Sequence, residues 1–254
     1  MFLAHDNHHF RESERQRIKE DQGAAVNRIP DPAESEAETG GQLQDSQAAG
    51  RKGIFLNAIM SGPASENNEV FLNVPYTSGY ETQFVALVST VVAAGLIPRC
   101  ALEVAEHGEG QLKRVVELIR QCRLSIHDLS LTRHLNMPFE LGISVAFKFS
   151  QPGEQRGFIL LDAKPGRLAQ VLSDMKGREP IIHANRPLRL IAGLVQHLEG
   201  MTPQQVEGIY RKLRGVLPEL KRKYRTSNVF QRRVFQELVS GALELATGAG
   251  LLAE

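Results

Sequence analysis

The sequence predicts an α/β protein with a parallel sheet and an additional helical segment at its C-terminal end. Between residues 69 and 199, short apolar runs alternate with stretches of helical periodicity. This alternation is typical of βαβ units joined by right-handed crossovers. After Gly200, two helical patterns follow one another without a strand between them, which predicts a helical hairpin.

Five segments have the signature of buried strands, because each is short, apolar and bounded by Gly, Pro or charged residues. The first ends at Pro75-Tyr76 and the turn residues 77–79. The predicted strands are Val70–Val74, Ile97–Leu102, Leu124–Asp128, Gly157–Asp162 and Pro180–His183.

The segments between the strands carry apolar residues three and four positions apart, as amphipathic helices do. Gly95 suits a helix C-cap, and Pro138 suits a first helical turn, where a missing N–H costs nothing. The predicted helices are 84–92, 112–119, 138–149, 168–175 and 187–198. Five strands and their helices in this sequence order predict a flavodoxin-like three-layer domain with strand order 2-1-3-4-5.

Three regions follow from composition and periodicity. Residues 1–60 mix charged residues, Gln, Ser, Gly and Pro, and we expect them to be a disordered extension. Met60 lies just before the first strand, so a start of the native chain at Met60 is a further hypothesis. Residues 69–199 form the predicted α/β domain, and residues 203–250 form the predicted helical hairpin.

The first helix of the hairpin has an apolar seam of heptad spacing, interrupted by Pro218, which must kink or divide it. The seam residues are Val206, Tyr210, Leu213, Leu217, Leu220 and Tyr224. We predict the second helix at Val229–Ala246, with Ser227 or Asn228 as its cap.

The formal charge of +1 conceals an uneven distribution. Residues 211–233 contain nine Lys or Arg and one Glu. Three interpretations stay open: a solvated face of a packed helix pair, a hairpin through which copies of the chain self-associate, or a surface for a polyanion. Since no nucleic-acid-binding motif accompanies the charge, we do not expect nucleic acid as the partner.

Several protein classes are disfavoured. No apolar run reaches the ~18–20 residues of a membrane span, and Cys100 and Cys122 lie in apolar sequence typical of buried, reduced thiols. We therefore expect a soluble cytoplasmic protein with no membrane contact. No glycine-rich phosphate loop follows the first strand, and the histidines lack metal-ligand spacing. A dehydrogenase, an ATPase or a metal cofactor is not expected.

The candidate site lies in the stretch from Ser125 to Phe147. Asp128 ends the third strand, and Glu140 falls in the predicted first turn of the next helix, so two carboxylates reach the sheet edge where open α/β folds bind ligands. Two acids there fit a reaction that builds positive charge on a sugar. For each acid there is also a structural interpretation, namely a favourable helix-dipole charge for Glu140 and a loop cap for Asp128.

Five further residues are candidates for substrate binding. Tyr76 could stack on a base or simply end its strand, and Asn136 could hold a ribose hydroxyl or cap a helix. Arg99 could meet a phosphate or form a surface ion pair with Glu103. Ser130 completes the set at the end of the Ser125–Ser130 run.

The run Asn136-Met-Pro-Phe-Glu140-Leu-Gly142-Ile-Ser-Val-Ala resembles the Glu-x-Gly-x-Ala helix of nucleoside 2-deoxyribosyltransferases. The resemblance puts Glu140 at the position of their nucleophile and Asp128 at the aspartate that ends the preceding strand. The turn before the glutamate differs, because this chain has Asn136-Met-Pro138 where those enzymes have small Gly, Ser or Thr residues.

The strand Val70-Phe-Leu-Asn-Val-Pro-Tyr76 also resembles the first strand of Toll/interleukin-1 receptor (TIR) domains, which often cleave NAD with a helix-borne glutamate. As a whole, residues 69–199, including the run from Arg99 to Glu103, look most like small bacterial TIR-like proteins. The resemblance implies cleavage of an N-glycosidic bond in NAD or a related nucleotide or nucleoside, by hydrolysis or transfer, with NAD as a substrate and no cofactor. The alternative is a catalytically silent nucleotide-sensing module that assembles through its C-terminal helices.

Overall fold

The computed structural model describes residues 68–104, 109–131, 136–150, 156–175 and 177–252. The strands are β1 (Glu69–Asn73), β2 (Ile97–Cys100), β3 (Leu124–Asp128), β4 (Gly157–Asp162) and β5 (Ile181–Ile182). They form one sheet in the order β2-β1-β3-β4-β5, and every neighbouring pair is parallel. The predicted flavodoxin-like α/β class is confirmed.

Seven α-helices are present in these ranges, together with three short 3-10 turns. The helices are α1 (Glu81–Ala93), α2 (Glu109–Gln121), α3 (Asn136–Ser150), α4 (Arg167–Val171), α5 (Pro187–Val195), α6 (Pro203–Lys223) and α7 (Arg232–Gly248). The 3-10 turns are Ser78–Tyr80, Ala101–Glu103 and Ser173–Met175.

Alternating side chains on the strands define the two faces of the sheet. Val70 and Leu72 belong to the large core that includes α1, α5, α6 and α7, whereas Phe71 packs with α2 and α3 on the opposite face. A smaller cluster joins Leu160 of β4 to α3 and α4. The sheet is thus covered by helices on both faces, as parallel sheets require.

Helix α1 is enclosed on all sides, and every residue from Gln83 to Ala93 is buried. It packs against α5, α6 and α7, so its sequence is apolar almost all round. Its two buried hydroxyls are satisfied inside the helix, because Ser89 donates to the Val85 carbonyl (2.8 Å) and Thr90 to the Ala86 carbonyl (2.7 Å). The hairpin therefore completes the burial of α1.

The apolar seam of α6 faces the core as its spacing predicts. Val206, Tyr210, Leu213 and Leu217 are buried, and the last two seam residues are half-buried. Together with α7, these side chains belong to the same hydrophobic core as the sheet. The hairpin, which we predicted as a region of its own, thus shares its core with the α/β domain. Helix α6 continues through Pro218 rather than dividing there.

The second hairpin helix begins at Arg232, three residues later than predicted, and ends at Gly248. The reason lies in the turn that precedes it. The Val229 N–H donates to Glu81 Oε1 (3.3 Å), and the Phe230 N–H donates to Asn228 Oδ1 (2.9 Å). Both amides therefore belong to the turn, and Gln231 takes the N-cap position that we predicted for Ser227 or Asn228.

Other boundaries also differ from the sequence prediction. The predicted helix 168–175 consists of α4, which ends at Val171, and the 3-10 turn Ser173–Met175. Strand β2 stops at Cys100, because the Glu103 carboxylate accepts the Cys100 N–H (2.9 Å) and starts a 3-10 turn instead. Strand β5 is limited to two residues, and α5 ends at Val195.

The structure bears on two further predictions, the state of the cysteines and the absence of a membrane span. Both cysteines are free and buried, as predicted, and burial raises the pKa of each thiol to about 12. In the described ranges, no helix combines the length and the apolar character needed to cross a membrane. The predictions for residues 1–60, including the Met60 start, lie outside the described residues.

Gly193 in α5 is required by a close approach to β5. A Cβ at this position would lie 2.3 Å from Ile181 Cγ2. We expect Gly193→Ala to lower the free energy of unfolding by about 1–3 kcal/mol, since overpacking outweighs the gain in helix propensity. Urea denaturation monitored by circular dichroism measures the change.

Gly215→Ala is the matched control, because a Cβ there meets no atom within 4 Å in the middle of α6. It should stabilise the protein by up to about 1 kcal/mol. Removing the obstructing side chain with Ile181→Ala should relieve much of the cost of Gly193→Ala. Equal stabilities for the two glycine variants would contradict the packing argument.

Candidate functional site

The carboxyl ends of β1 and β3 define the switch point of the sheet. Strand β1 lies between β2 and β3, and the chain leaves β1 towards one face through α1 and leaves β3 towards the other through α3. The loops after the two strands therefore diverge. Tyr76 follows β1 and Glu140 lies near the start of α3, so both flank this crevice.

Glu140 is half-buried, and its carboxylate makes no hydrogen bond or ion pair with any described residue. Burial raises the pKa of Glu140 to about 7, because the charged form loses solvation without gaining a partner. Since α3 begins at Asn136, Glu140 opens the second turn rather than lying in the first as predicted. The helix dipole therefore offers it less support than expected.

The start of α3 is held by a buried polar chain on the face of the sheet that α3 covers. The Asn73 side-chain amide donates to the Met137 carbonyl (2.8 Å) and to His127 Nδ1 (2.9 Å). His127 Nε2 then lies 2.8 Å from Ser125 Oγ. Burial lowers the pKa of His127 to about 3, so the ring is neutral. Asn73 thus ties the end of β1 to the turn that carries Glu140.

Tyr76 approaches Glu140 from the β1 side. Its side chain is 38% exposed, and its ring packs against Phe230 with a centroid distance of 5.5 Å. Its hydroxyl end is enclosed and interacts with the Cys100 thiol and with the charge of Glu140. Burial first, and then these two neighbours, raise the pKa of Tyr76 well above its ordinary value. The structure thus brings a neutral phenol close to an unpaired carboxylate.

Asp128 has a different environment, because it is fully buried on the α1 face of the sheet. The Tyr80 hydroxyl donates to Oδ2, and His183 Nε2 lies 3.0 Å from the same oxygen. The Ser130 N–H donates to Oδ1 (2.8 Å). Burial by itself would raise the pKa of Asp128, but the interactions with His183, Ser130 and Tyr80 outweigh it and hold the pKa below its usual value.

The tautomer of His183 follows from its neighbours. The Asn185 N–H donates to His183 Nδ1 (3.1 Å), so Nε2 carries the hydrogen that faces Asp128 and Ser130 Oγ. Ala184 and Asn185 both have positive φ angles, 50° and 55°, a costly conformation for residues other than glycine. The turn after β5 is thus bent so that its histidine reaches the end of β3.

The two carboxylates that the sequence groups together therefore have different surroundings. Asp128 holds Tyr80, His183 and Ser130 in one buried network, whereas Glu140 lies on the helix layer of the opposite face and has no partner among the described residues. This geometry makes Asp128 a positioning residue for the loops after β1, β3 and β5.

The remaining predicted residues are dispersed along this edge. Arg99 forms ion pairs with Glu69 and with Glu103 (2.9 Å), which is the ion-pair alternative considered above. Asn136 is exposed at the start of α3. The Ser130 hydroxyl lies 3.0 Å from His183 Nε2, and its carbonyl accepts from Arg167 (2.7 Å).

Sequence reasoning missed four residues of this site: Asn73, Tyr80, His183 and Phe230. Asn73 and His183 are polar residues at the carboxyl ends of strands, the same signal that identifies Asp128. Tyr80 and Phe230 carry no such signal, because their roles depend on contacts with distant parts of the chain.

Metal binding has no support in the described ranges, where no group of three or more His, Cys, Asp or Glu residues converges on one point. Comparisons with protein-family models, with curated proteins and with solved structures find no match for this chain. The fold and the geometry around Glu140 are therefore the basis for a functional assignment.

The buried network predicts a large effect of Asp128→Asn on stability. An amide cannot satisfy all three donors, since its NH₂ group would face either the Ser130 N–H or the Tyr80 and His183 donors. We expect the free energy of unfolding at pH 7 to fall by about 2–4 kcal/mol, measured by urea denaturation.

The pH dependence of the stability difference is a second test of the Asp128 network. Because the pKa of Asp128 is depressed in the folded protein, its contribution is present above the unfolded pKa and is lost as pH falls through the folded value. The difference between wild type and Asp128→Asn should therefore shrink in acid. Asp174→Asn, an exposed control, should change stability by less than about 0.5 kcal/mol. A pH-independent difference would argue against the network.

Proposed function

We propose that this protein cleaves the N-glycosidic bond of NAD or of a related nucleotide or nucleoside, with Glu140 acting on the sugar. The observation that carries the proposal is the half-buried Glu140 carboxylate, which has no partner among the described residues and whose charge acts on Tyr76, near the carboxyl edge of a parallel sheet. Perturbed carboxylates in such crevices are frequently catalytic. The resemblance of the Glu140 helix to that of deoxyribosyltransferases, and of residues 69–199 to bacterial TIR-like proteins, supports the same assignment.

In the proposed reaction, the bond between the sugar C1′ and the base nitrogen breaks and its electron pair leaves with the base. Positive charge then develops on C1′ and the ring oxygen. The ionised Glu140 carboxylate stabilises this cation or bonds to C1′. In a hydrolase, the oxygen of water then bonds to C1′, the Glu140 carboxylate is set free and one proton passes to solvent. In a transferase, a ring nitrogen of a second base bonds to C1′ and loses its proton in the same way. The interaction is strong because the site is partly desolvated.

The protonation states favour a cationic leaving group. Asp128 is fully buried, and its oxygens are already occupied by Tyr80, His183 and Ser130, so it is a poor proton donor for a departing base. Glu140 cannot trap the sugar and protonate the base at once. A pyridinium such as that of NAD leaves as a neutral base and requires no proton. The proposed roles of the neighbouring residues are base contact for Tyr76 and ribose contact for Asn136.

Glu140→Gln should abolish cleavage and at the same time stabilise the fold. The amide retains the shape but cannot stabilise a cation, so we expect kcat to fall at least about 10³-fold. Chromatography of NAD and of deoxynucleosides incubated with the protein measures turnover. Glu117→Gln serves as the control and should retain activity, because the Glu117 side chain is 44% exposed on α2 and pairs with Arg120 of the same helix.

The expected stabilisation of Glu140→Gln follows from the coupling between folding and proton binding at Glu140. Because the pKa of Glu140 is raised to about 7, the folded state binds more protons than the unfolded state between the ordinary pKa and about 7. Stability is therefore lost as pH rises through this window. Above it, Glu140→Gln should be more stable than wild type by about 1–2 kcal/mol, after allowance for partial exposure. Unchanged turnover in the variant would remove Glu140 from the mechanism. Ligand binding without turnover in wild type would favour a sensing module.

Activity should also depend on pH through the same group. Only the ionised carboxylate can stabilise the sugar cation, so kcat/KM should rise with pH and level off above about 7. Initial rates between pH 5.5 and 8.5 give the profile, and far-UV circular dichroism over the same range verifies that the fold persists. A rate independent of pH across 6–8 would be incompatible with the proposed role.

A further inference from the structure

Four exposed arginines lie in and next to the turn that joins α6 to α7. They are Arg222, Arg225, Arg232 and Arg233, which we call the basic turn. Arg222 lies in the last turn of α6, and Arg232 and Arg233 open α7. The hairpin topology therefore brings all four to one end of the helix pair.

Two lysines in the same region differ from these arginines, because each is paired. Lys221 Nζ lies 2.6 Å from Glu81 Oε2, and Lys223 Nζ lies 2.6 Å from Glu237 Oε1. Among the described residues, none of the four arginine side chains has a carboxylate partner. Glu81 and Glu237 are thus paired with the lysines, and Glu219 is the one acid between residues 211 and 233. The four arginines therefore leave a net positive charge at the turn.

The turn that carries these arginines contacts Tyr76, which flanks the switch point on the β1 side. Phe230, in the same turn, packs on Tyr76 with a centroid distance of 5.5 Å, and the Val229 N–H is bonded to Glu81 at the start of α1. Arg232 and Arg233 follow Phe230 by two and three residues, so their Cα atoms lie within roughly 7–10 Å of it. Arginine side chains in these positions can reach a ligand that extends out of the crevice.

The chemistry of the turn fits phosphate groups. Guanidinium groups bind phosphate oxygens in paired hydrogen bonds, and several of them together create a strong local field for an anion. Their placement is also locally unfavourable. Arg225 has a φ of 51°, where glycine is favoured, and Arg232 and Arg233 lie at the positive end of the α7 dipole.

We propose that the basic turn binds the phosphate groups of the substrate, so that the enzyme acts on a phosphorylated nucleotide and not on a free nucleoside. This inference rests on the proposed function, since it takes the crevice beside Tyr76 as the place where base and sugar bind. Base and sugar lie between Tyr76 and Glu140, and the phosphates extend along the hairpin turn.

Isothermal titration calorimetry with ADP-ribose and with adenosine tests the inference, in the Glu140→Gln background so that no turnover interferes. Arg232→Gln/Arg233→Gln should weaken ADP-ribose binding about tenfold or more and leave adenosine binding unchanged. The matched control is Lys212→Gln/Arg214→Gln, which removes the same charge from exposed positions further along α6, at least about 12 Å from Arg222 along the helix axis. It should change binding by less than about twofold.

Arg225→Gly tests whether weaker ADP-ribose binding comes from the lost guanidinium group and not from a destabilised fold. Glycine adopts the positive φ without strain, so this variant should keep or raise the melting temperature while weakening ADP-ribose binding. Equal losses for the two double variants, equal losses for adenosine and ADP-ribose, or no binding of ADP-ribose at millimolar concentration would each overturn the inference. Far tighter binding of a single-stranded oligonucleotide than of ADP-ribose would also overturn it, in favour of a nucleic-acid surface.

The same measurements separate the two proposals. If the arginine variants lose ADP-ribose binding but the wild-type protein cleaves no glycosidic bond, the phosphate site stands and the enzymatic proposal fails. If wild type cleaves NAD and Arg232→Gln/Arg233→Gln retains both affinity and KM, the enzymatic proposal stands and the phosphate site fails.

Discussion

The buried carboxylate of Asp128 is the constraint on which the carboxyl edge of this sheet depends. It accepts hydrogen bonds from groups that follow three different strands: Tyr80 after β1, Ser130 after β3 and His183 after β5. An ionised group without these donors could not be kept away from water at acceptable cost. The loops must therefore stay in place for the charge to be buried, and the buried charge in turn fixes the loops.

Glu140 is the contrasting case in the same part of the fold. Asn73 fixes the backbone of its helix from the neighbouring strand through the Met137 carbonyl, yet nothing described compensates its charge. A raised pKa of about 7 is the physical consequence. Asp128 stabilises the structure because Tyr80, Ser130 and His183 donate to it. No described residue donates to the Glu140 carboxylate. Asn73 thus holds the helix that carries Glu140 without offering the Glu140 carboxylate a hydrogen bond.

The fold could be predicted from local sequence, because alternating apolar strands and amphipathic helices permit few topologies. Glu140 could be chosen as a candidate too, since the helix that follows a parallel strand starts near the carboxyl edge of the sheet. The environment of each acid could not be predicted from local sequence. Whether Asp128 is compensated depends on His183, and the surroundings of Tyr76 depend on Phe230; both contacts join residues more than 50 positions apart.

The start of α7 is a second feature that local sequence does not predict. Periodicity alone includes Phe230 in a helix, since it has the spacing of the α7 face. Hydrogen bonds from the turn amides to Glu81 and Asn228 remove it from that helix and direct its ring towards Tyr76. A tertiary partner, not local propensity, decides where α7 begins.

The packing of the hairpin on α1 has a consequence for the order of events during synthesis. Helix α1 is apolar almost all round, and part of its cover comes from α6 and α7, the last two helices in the described chain. While the ribosome is still making the hairpin, the nascent sheet domain exposes an apolar face that chaperones and other nascent chains could bind. Tyr76 likewise lacks its Phe230 neighbour until then, so an incomplete chain would carry Glu140 before the surroundings of Tyr76 are complete.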